Sequence, residues 1–158
     1  MSATGLEVFD KTLQTTHTWL DEITAGLGPD RQRAYRVLRA VLHALRDRLP
    51  LELAAHLGAQ LPLLVRGIYY DEWRPRPETS RERSQAEFLQ HVAAGLRGVR
   101  PTDTGDATRA VFGVIARHVT EGQVEKVRQA LPEDVRRLWP QAVAGPQETA
   151  PREEPAGG

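Results

Sequence analysis

The chain has 158 residues, 40% of them hydrophobic, 27% charged and 6% aromatic, so a globular core of mainly Leu, Val, Ile and Ala is expected. Lys plus Arg and Asp plus Glu balance at 21 each, which excludes the broad basic field behind non-specific nucleic-acid binding. The absence of cysteine excludes disulfides, thiolate catalysis and Cys-rich metal sites together.

Only Lys11 and Lys126 are lysines. We read the excess of Arg as a coding bias rather than as a demand for forked hydrogen bonds. Met1 to Asp10 carries no basic-then-apolar leader pattern, and no apolar run approaches the roughly 18 residues of a membrane span. A cytoplasmic location with no membrane association is therefore expected.

In chain order, Leu6, Phe9, Leu13, Thr16, Leu20, Ile23 and Leu27 step by three and four and predict one buried face of a long helix. Thr15, Thr16 and Thr18 are weak helix formers, so this helix should depend on packing. Gly26, Gly28 and Pro29 end it, and Asp30 caps a second helix whose stripe is Tyr35, Leu38, Leu42, Leu45 and Leu49. Pro50 begins a short third helix carrying Leu53, Ala54 and Leu57, stopped by Gly58. Pro62 suits the first turn of a fourth helix, with Val65, Ile68 and Tyr69 facing inward. Residues 74–84, with Pro75, Pro77 and alternating charges, predict a surface linker.

The pattern then begins again. Trp19-Leu20 and Gly26-Leu27 are answered by Phe88-Leu89 and Gly95-Leu96 at an offset of 69, and His91 stands opposite Glu22. At an offset of 70, Ala40-Val41-Leu42 matches Ala110-Val111-Phe112, and Leu45, Leu49, Leu57, Leu61-Pro62, Val65-Arg66 and Tyr69 match Ile115, Val119, Val127, Leu131-Pro132, Val135-Arg136 and Trp139. A collinear set with one indel, including both Leu-Pro helix starts, predicts a duplication. A unit of this size is near the lower limit for its own core. The expected fold is therefore all-α: a helical bundle of two tandem copies of a roughly four-helix unit, packed about a pseudo-twofold axis. Residues 1–73 form the first repeat and 85–140 the second, sharing one core, with Asp106 capping the helix of Val111 and Ile115. Residues 141–158, rich in Pro, Gly, Ala and Glu, predict a disordered tail.

Ala40-Val41-Leu42-His43-Ala44-Leu45-Arg46-Asp47-Arg48-Leu49-Pro50, Leu61-Pro62 and Arg66-Gly67-Ile68-Tyr69-Tyr70-Asp71-Glu72-Trp73 resemble the bacterial domain-of-unknown-function family 2267. Phe88-Leu89 and Ala107-Thr108-Arg109-Ala110-Val111-Phe112 are similar to its second half, and the resemblance covers roughly residues 6 to 140. It implies an all-helical bacterial protein and brings no reaction, cofactor or catalytic residue with it. Where the family pattern leads to Gly before Trp73, this chain has Glu72, so a different local turn is expected.

Chemistry-bearing motifs are sparse. Glu52-Leu53-Ala54-Ala55-His56-Leu57-Gly58 has the spacing of a helix-turn-helix, but the helix that would read bases is Leu61 to Tyr70, with one charged side chain. Nucleic acid is disfavoured on that ground. Glu52/His56 and Glu87/His91 sit at i,i+4 but at non-equivalent places in the two repeats, which points to solvated helix faces rather than metal ligands. Serine occurs only at 2, 80 and 84, and no nucleophile elbow or phosphate-cradling loop is present. No catalytic residue, cofactor or metal site is predicted.

Arg66 to Trp73 concentrates two Tyr, one Trp and one Arg in an aromatic-poor chain, and these types anchor interfaces. Arg66, Tyr70 and Trp73 are the candidate partner-binding residues, while Tyr69, opposite Trp139, belongs to the core. The expected function is a non-enzymatic interaction module acting on a protein partner or by self-association. The alternative is a small-ligand binder or enzyme with a pocket between the repeats, and a DNA-binding protein ranks last.

Overall fold

The computed structural model describes residues 4–76 and 81–141, and among these it is all-helical. The predicted tail, from residue 142 on, and residues 77–80 of the predicted linker lie outside the described residues. The helices are α1 (Glu7–Leu27), α2 (Arg31–Arg48), α3 (Leu51–Gln60), α4 (Leu63–Tyr70), α5 (Gln85–Gly95), α6 (Thr104–His118), α7 (Glu121–Ala130) and the single turn α8 (Glu133–Arg136).

The apolar stripe of α1 is buried only from Thr16 onward, where Thr16, Trp19, Leu20 and Ile23 enter the core. Leu6, Phe9 and Leu13 are exposed, which corrects the expected continuous buried face. Periodicity marks a face but not whether another helix covers it. Leu63 and Leu64 of α4 are also exposed, and the Leu64 N–H donates to Thr12 Oγ1 at 3.0 Å, so both apolar groups share one surface.

Helix α2 is central and packs against α1, α4, α5 and α6. Asp30 caps it by accepting from the Arg33 N–H at 3.1 Å. Leu38, Leu42, Leu45 and Leu49 are buried as expected, but Tyr35 is 39% exposed. The stripe that faces the core runs through Ala34, Val37, Leu38 and Val41, which leaves Tyr35 to one side.

Other local expectations shift by a turn or less. Gly58 does not stop α3, which continues to Gln60. Gly58 is buried because the Tyr69 and Tyr70 rings occupy the space a Cβ would need. The cap of α6 is Asp103, which accepts from the Asp106 N–H at 2.8 Å, rather than Asp106 itself. Helix α5 opens on a serine cap, with Ser84 Oγ accepting from the Glu87 N–H at 3.1 Å and donating to the Glu87 carboxylate at 2.8 Å.

The helices interlock across the chain: α1 packs on α6 and α5 packs on α2, while α3 meets α7. Two glycines permit the close approaches. A Cβ on Gly26 would stand 3.7 Å from Ala110 Cβ, and one on Gly95 only 2.8 Å from Ala40 Cβ. The core is continuous from Trp19 and Leu38 through Leu45 and Ile115 to Trp139, and Trp139 stacks on Phe112 with centroids 4.1 Å apart.

Several arginines hold carbonyls at helix ends. Arg66 donates to the Ala59 and Leu61 carbonyls, each at 3.0 Å, and Arg136 to those of Gln129 and Leu131 at 3.5 and 3.0 Å. Arg33 bridges the Leu27 carbonyl, at 2.9 Å, and Thr102 Oγ1, at 2.7 Å. Each guanidinium satisfies more than one acceptor near a helix end, which a single ammonium on a flexible stem does less well.

Candidate functional site: an arginine-lined groove along α2

Beside α2 runs an open groove of about 930 Å³, walled by the segment after α4 and by α5. Among the described residues its lining holds six guanidinium groups (Arg36, Arg39, Arg46, Arg48, Arg74 and Arg76) against the carboxylates of Asp47, Glu72 and Glu82. Six against three leaves an excess of positive charge in a protein whose total is zero.

Three groove residues, Arg39, His43 and Arg46, share a face of α2 by their spacing of four and three. They meet the C-terminal end of α4. His43 Nε2 lies 2.8 Å from the Ile68 carbonyl, which can only accept, so Nε2 carries the proton and donates. Burial lowers the His43 pKa from its ordinary 6.5 and keeps the ring neutral at pH 7. The Arg46 guanidinium donates to the Tyr69 and Asp71 carbonyls at 2.7 and 3.0 Å and to Asp47 Oδ1 at 2.9 Å. Arg39 pairs with Asp71 at 2.7 Å and Glu72 at 3.2 Å, and that hydrogen bond holds the Asp71 carboxyl below its usual value. The Arg46 cation at the Tyr69 and Asp71 carbonyls closes off the C-terminus of α4.

Glu72, where glycine was expected, has φ 58. The turn therefore keeps the left-handed backbone that glycine favours, at a small strain, while the Glu72 side chain reaches Arg39.

The three candidate residues separate. Trp73 lines the groove and stacks on Tyr70 with centroids 5.4 Å apart. Tyr70 stands behind it, half-buried, with its hydroxyl donating to the Ala55 carbonyl at 3.2 Å. Arg66 lies apart from both, in its α3 cap. Sequence reasoning missed the arginines of the groove and also His43 and His91. Arg39, His43 and Arg46 carry a readable helical spacing, but nothing in one helix announces that Arg74, Arg76 and His91 will join it.

The paired i,i+4 motifs are also resolved. His91 Nε2 meets Glu82 at 2.7 Å rather than Glu87, and His56 stands 4.0 Å from Glu52 on an exposed face. Among the described residues no three of His, Asp, Glu or Cys gather to hold a metal ion, and no helix is long and apolar enough to cross a membrane.

At the far end of the groove from Arg48, Arg36 donates to the Gly95 and Arg97 carbonyls at 3.4 Å each. Among the described residues no hydrogen bond or ion pair reaches Arg48, Arg74 or Arg76. Half of the groove's guanidinium groups are thus engaged in holding the fold, and half are not.

The chain matches no curated protein. The model of a family described as "Uncharacterized conserved protein (DUF2267)" matches residues 16–138. That span is most of the chain, and the chain belongs to this family.

Proposed function

We propose that this member of the family is a non-enzymatic protein-interaction module, whose groove along α2 captures an acidic segment of a partner protein. The observation that carries this reading is the concentration of guanidinium groups in one groove of an otherwise neutral chain. The shape agrees with a chain segment. From Arg36 to Pro50 the groove follows α2 for about 20 Å at ~1.5 Å per residue, which matches about six residues of extended peptide at ~3.3 Å each. Trp73 in the wall and the exposed Leu51 at one end add apolar contact beside the charges. A nucleic-acid backbone fits less well, because Asp47, Glu72 and Glu82 line the same walls.

The same proposal includes the duplicated architecture and a bacterial, cytoplasmic setting. The duplication is supported by helix ends and bonds that recur at one spacing. Helices α2 and α6 end at Arg48 and His118, while α3 and α7 span Leu51–Gln60 and Glu121–Ala130. Arg66 and Arg136 bind carbonyls at matching positions. Gly26 faces Ala110 as Gly95 faces Ala40, so the close contacts are reciprocal.

The test uses a fluorescein-labelled peptide alternating glutamate and leucine, followed by anisotropy. Binding should weaken as salt rises, fall with Trp73→Ala and with Arg76→Glu, and persist in Arg31→Gln, which lies outside the groove lining and pairs with Asp21. Equal binding of the matching lysine-leucine peptide, or tighter binding of a labelled oligothymidine, would overturn the proposal.

A further inference from the structure

Two buried arginines lie two residues apart on α2, and their circumstances differ. Arg46 is 4% exposed and donates from both Nε and Nη1, whereas Arg48 is 7% exposed and its Nε has no hydrogen-bond acceptor. Burying an unpaired cation is costly, since water is lost and nothing replaces it. Arg48 nevertheless lines the groove, so its open side faces space that a ligand can enter.

The repeat offset sharpens the point. Arg48 corresponds to His118, and His91 corresponds to Glu22. Where α1 meets α6, Glu22 pairs with His118 and also with Arg117 at 3.3 Å. Where α5 meets α2, the corresponding positions bring Arg48 and His91 to one groove, with a base where the other seam has an acid. Glu82 attracts Arg48 but is bonded to His91, and Arg83 adds a repelling charge that offsets it. The position is short of an anion.

We propose that Arg48, with Arg74 and Arg76 from the lining of the same groove, forms a seat for a phosphoryl group. A phosphoryl dianion has three terminal oxygens and can answer more than one guanidinium, whereas a single carboxylate answers one fork. The seat rests on the groove reading above and names the chemistry at one end of it.

The experiment is thermal unfolding of the full chain with orthophosphate, and separately with a phosphoserine peptide, against chloride at matched ionic strength. A ligand that binds only the folded state raises the melting temperature. Wild type should gain several degrees with orthophosphate, Arg31→Gln should gain the same, and Arg48→Gln should gain none. Arg48→Met should melt higher than wild type in chloride, while Arg46→Met should melt lower, because only Arg48 is unpaired. A shift by orthophosphate equal to that of the peptide assigns the seat to a free phosphate-bearing molecule, and a larger shift by the peptide assigns it to a phosphorylated partner. No phosphate-specific shift, a shift retained in Arg48→Gln, or an Arg48→Met variant less stable than wild type would each refute the seat. Binding of the glutamate-leucine peptide that survives those results leaves the interaction reading standing, and its loss alongside a normal phosphate shift removes only that reading.

Discussion

On the repeat correspondence proposed above, the seam between α1 and α6 and the seam between α2 and α5 use matching positions, yet a groove opens beside the second. In the first, Trp19 stacks on His118 with centroids 5.2 Å apart, and Glu22 ties the ring down. In the second, Phe88 takes the place of Trp19, Arg48 that of His118 and His91 that of Glu22, and the groove opens. The backbones approach closely in both. What separates them is a few side chains: an acid answers Arg117 and His118 in one seam, and a histidine holds the acid's place in the other. A packing scheme can therefore be kept while its surface acquires a different use.

The first way to break this comparison is to test whether the two seams share a core at all. Leu45 and Ile115 are both fully buried. Truncation of either to Ala should cost roughly 2–5 kcal/mol, a large part of the ~5–15 kcal/mol of a typical domain. Denaturant unfolding followed by one probe in each half should show a single transition in both variants. Separate transitions would mean that the seams belong to independent units.

A smaller effect should distinguish the seams by sign. Gly95→Ala places a Cβ 2.8 Å from Ala40 Cβ and 3.2 Å from its Cα, where helix backbones must move apart. Overpacking of this kind costs about 1–3 kcal/mol. Gly26→Ala meets Ala110 at ordinary contact distance and should be neutral or gain up to about 1 kcal/mol from helix propensity. Urea midpoints of the two variants shifting in the same direction would contradict the close approach at Gly95.

The charge difference can be tested by exchange. His91→Glu, made together with Glu82→Gln so that two carboxylates do not meet, gives the open seam the carboxylate its counterpart has, beside an unpaired Arg48. Because position 91 is 60% exposed, the gain should be small, up to about 1 kcal/mol, and should shrink with added salt. A destabilised double variant at low salt would count against the correspondence of the seams.

The smallest effect is the acid sensitivity carried by His43, whose counterpart on the proposed repeat correspondence is Gly113. The folded pKa of His43 lies below the unfolded 6.5, so the unfolded state binds a proton first as pH falls. Its stabilising contribution is therefore complete above that value and is lost as pH falls through the lowered folded value. Melting temperatures between about pH 7.5 and about pH 5 should decline less in His43→Asn than in wild type. Asp71, whose carboxyl is held below its usual value, takes over only in the more acidic range.

Much of this was legible in the chain. The apolar spacing located the helices and the core because burial imposes a 3.6-residue period on whichever face is covered. The exposed Leu6, Phe9 and Leu13 keep the same period with nothing to cover them, and no local signal reports a missing neighbour. Asp103 and Asp106 are both able caps, and which one acts depends on where the chain enters the helix after Pro101. The aromatic cluster pointed correctly to the region of Trp73, but the groove's charge is a sum over three separated segments. Arg48 is invisible to sequence reasoning for the same reason: its peculiarity is the lack of a partner, and only a fold shows what fails to arrive.

The interlocking of α1 with α6 and of α5 with α2 has a consequence for synthesis. As the chain leaves the ribosome, α1 and α2 emerge well before the helices that cover them. Trp19, Leu38 and Leu45 stay without their final neighbours until residues beyond Phe112 have been made. Non-local closure of this kind slows folding and leaves apolar surface uncovered in the meantime. A nascent chain stalled within α5 should bind a general chaperone, and release should follow once α6 is free of the exit tunnel.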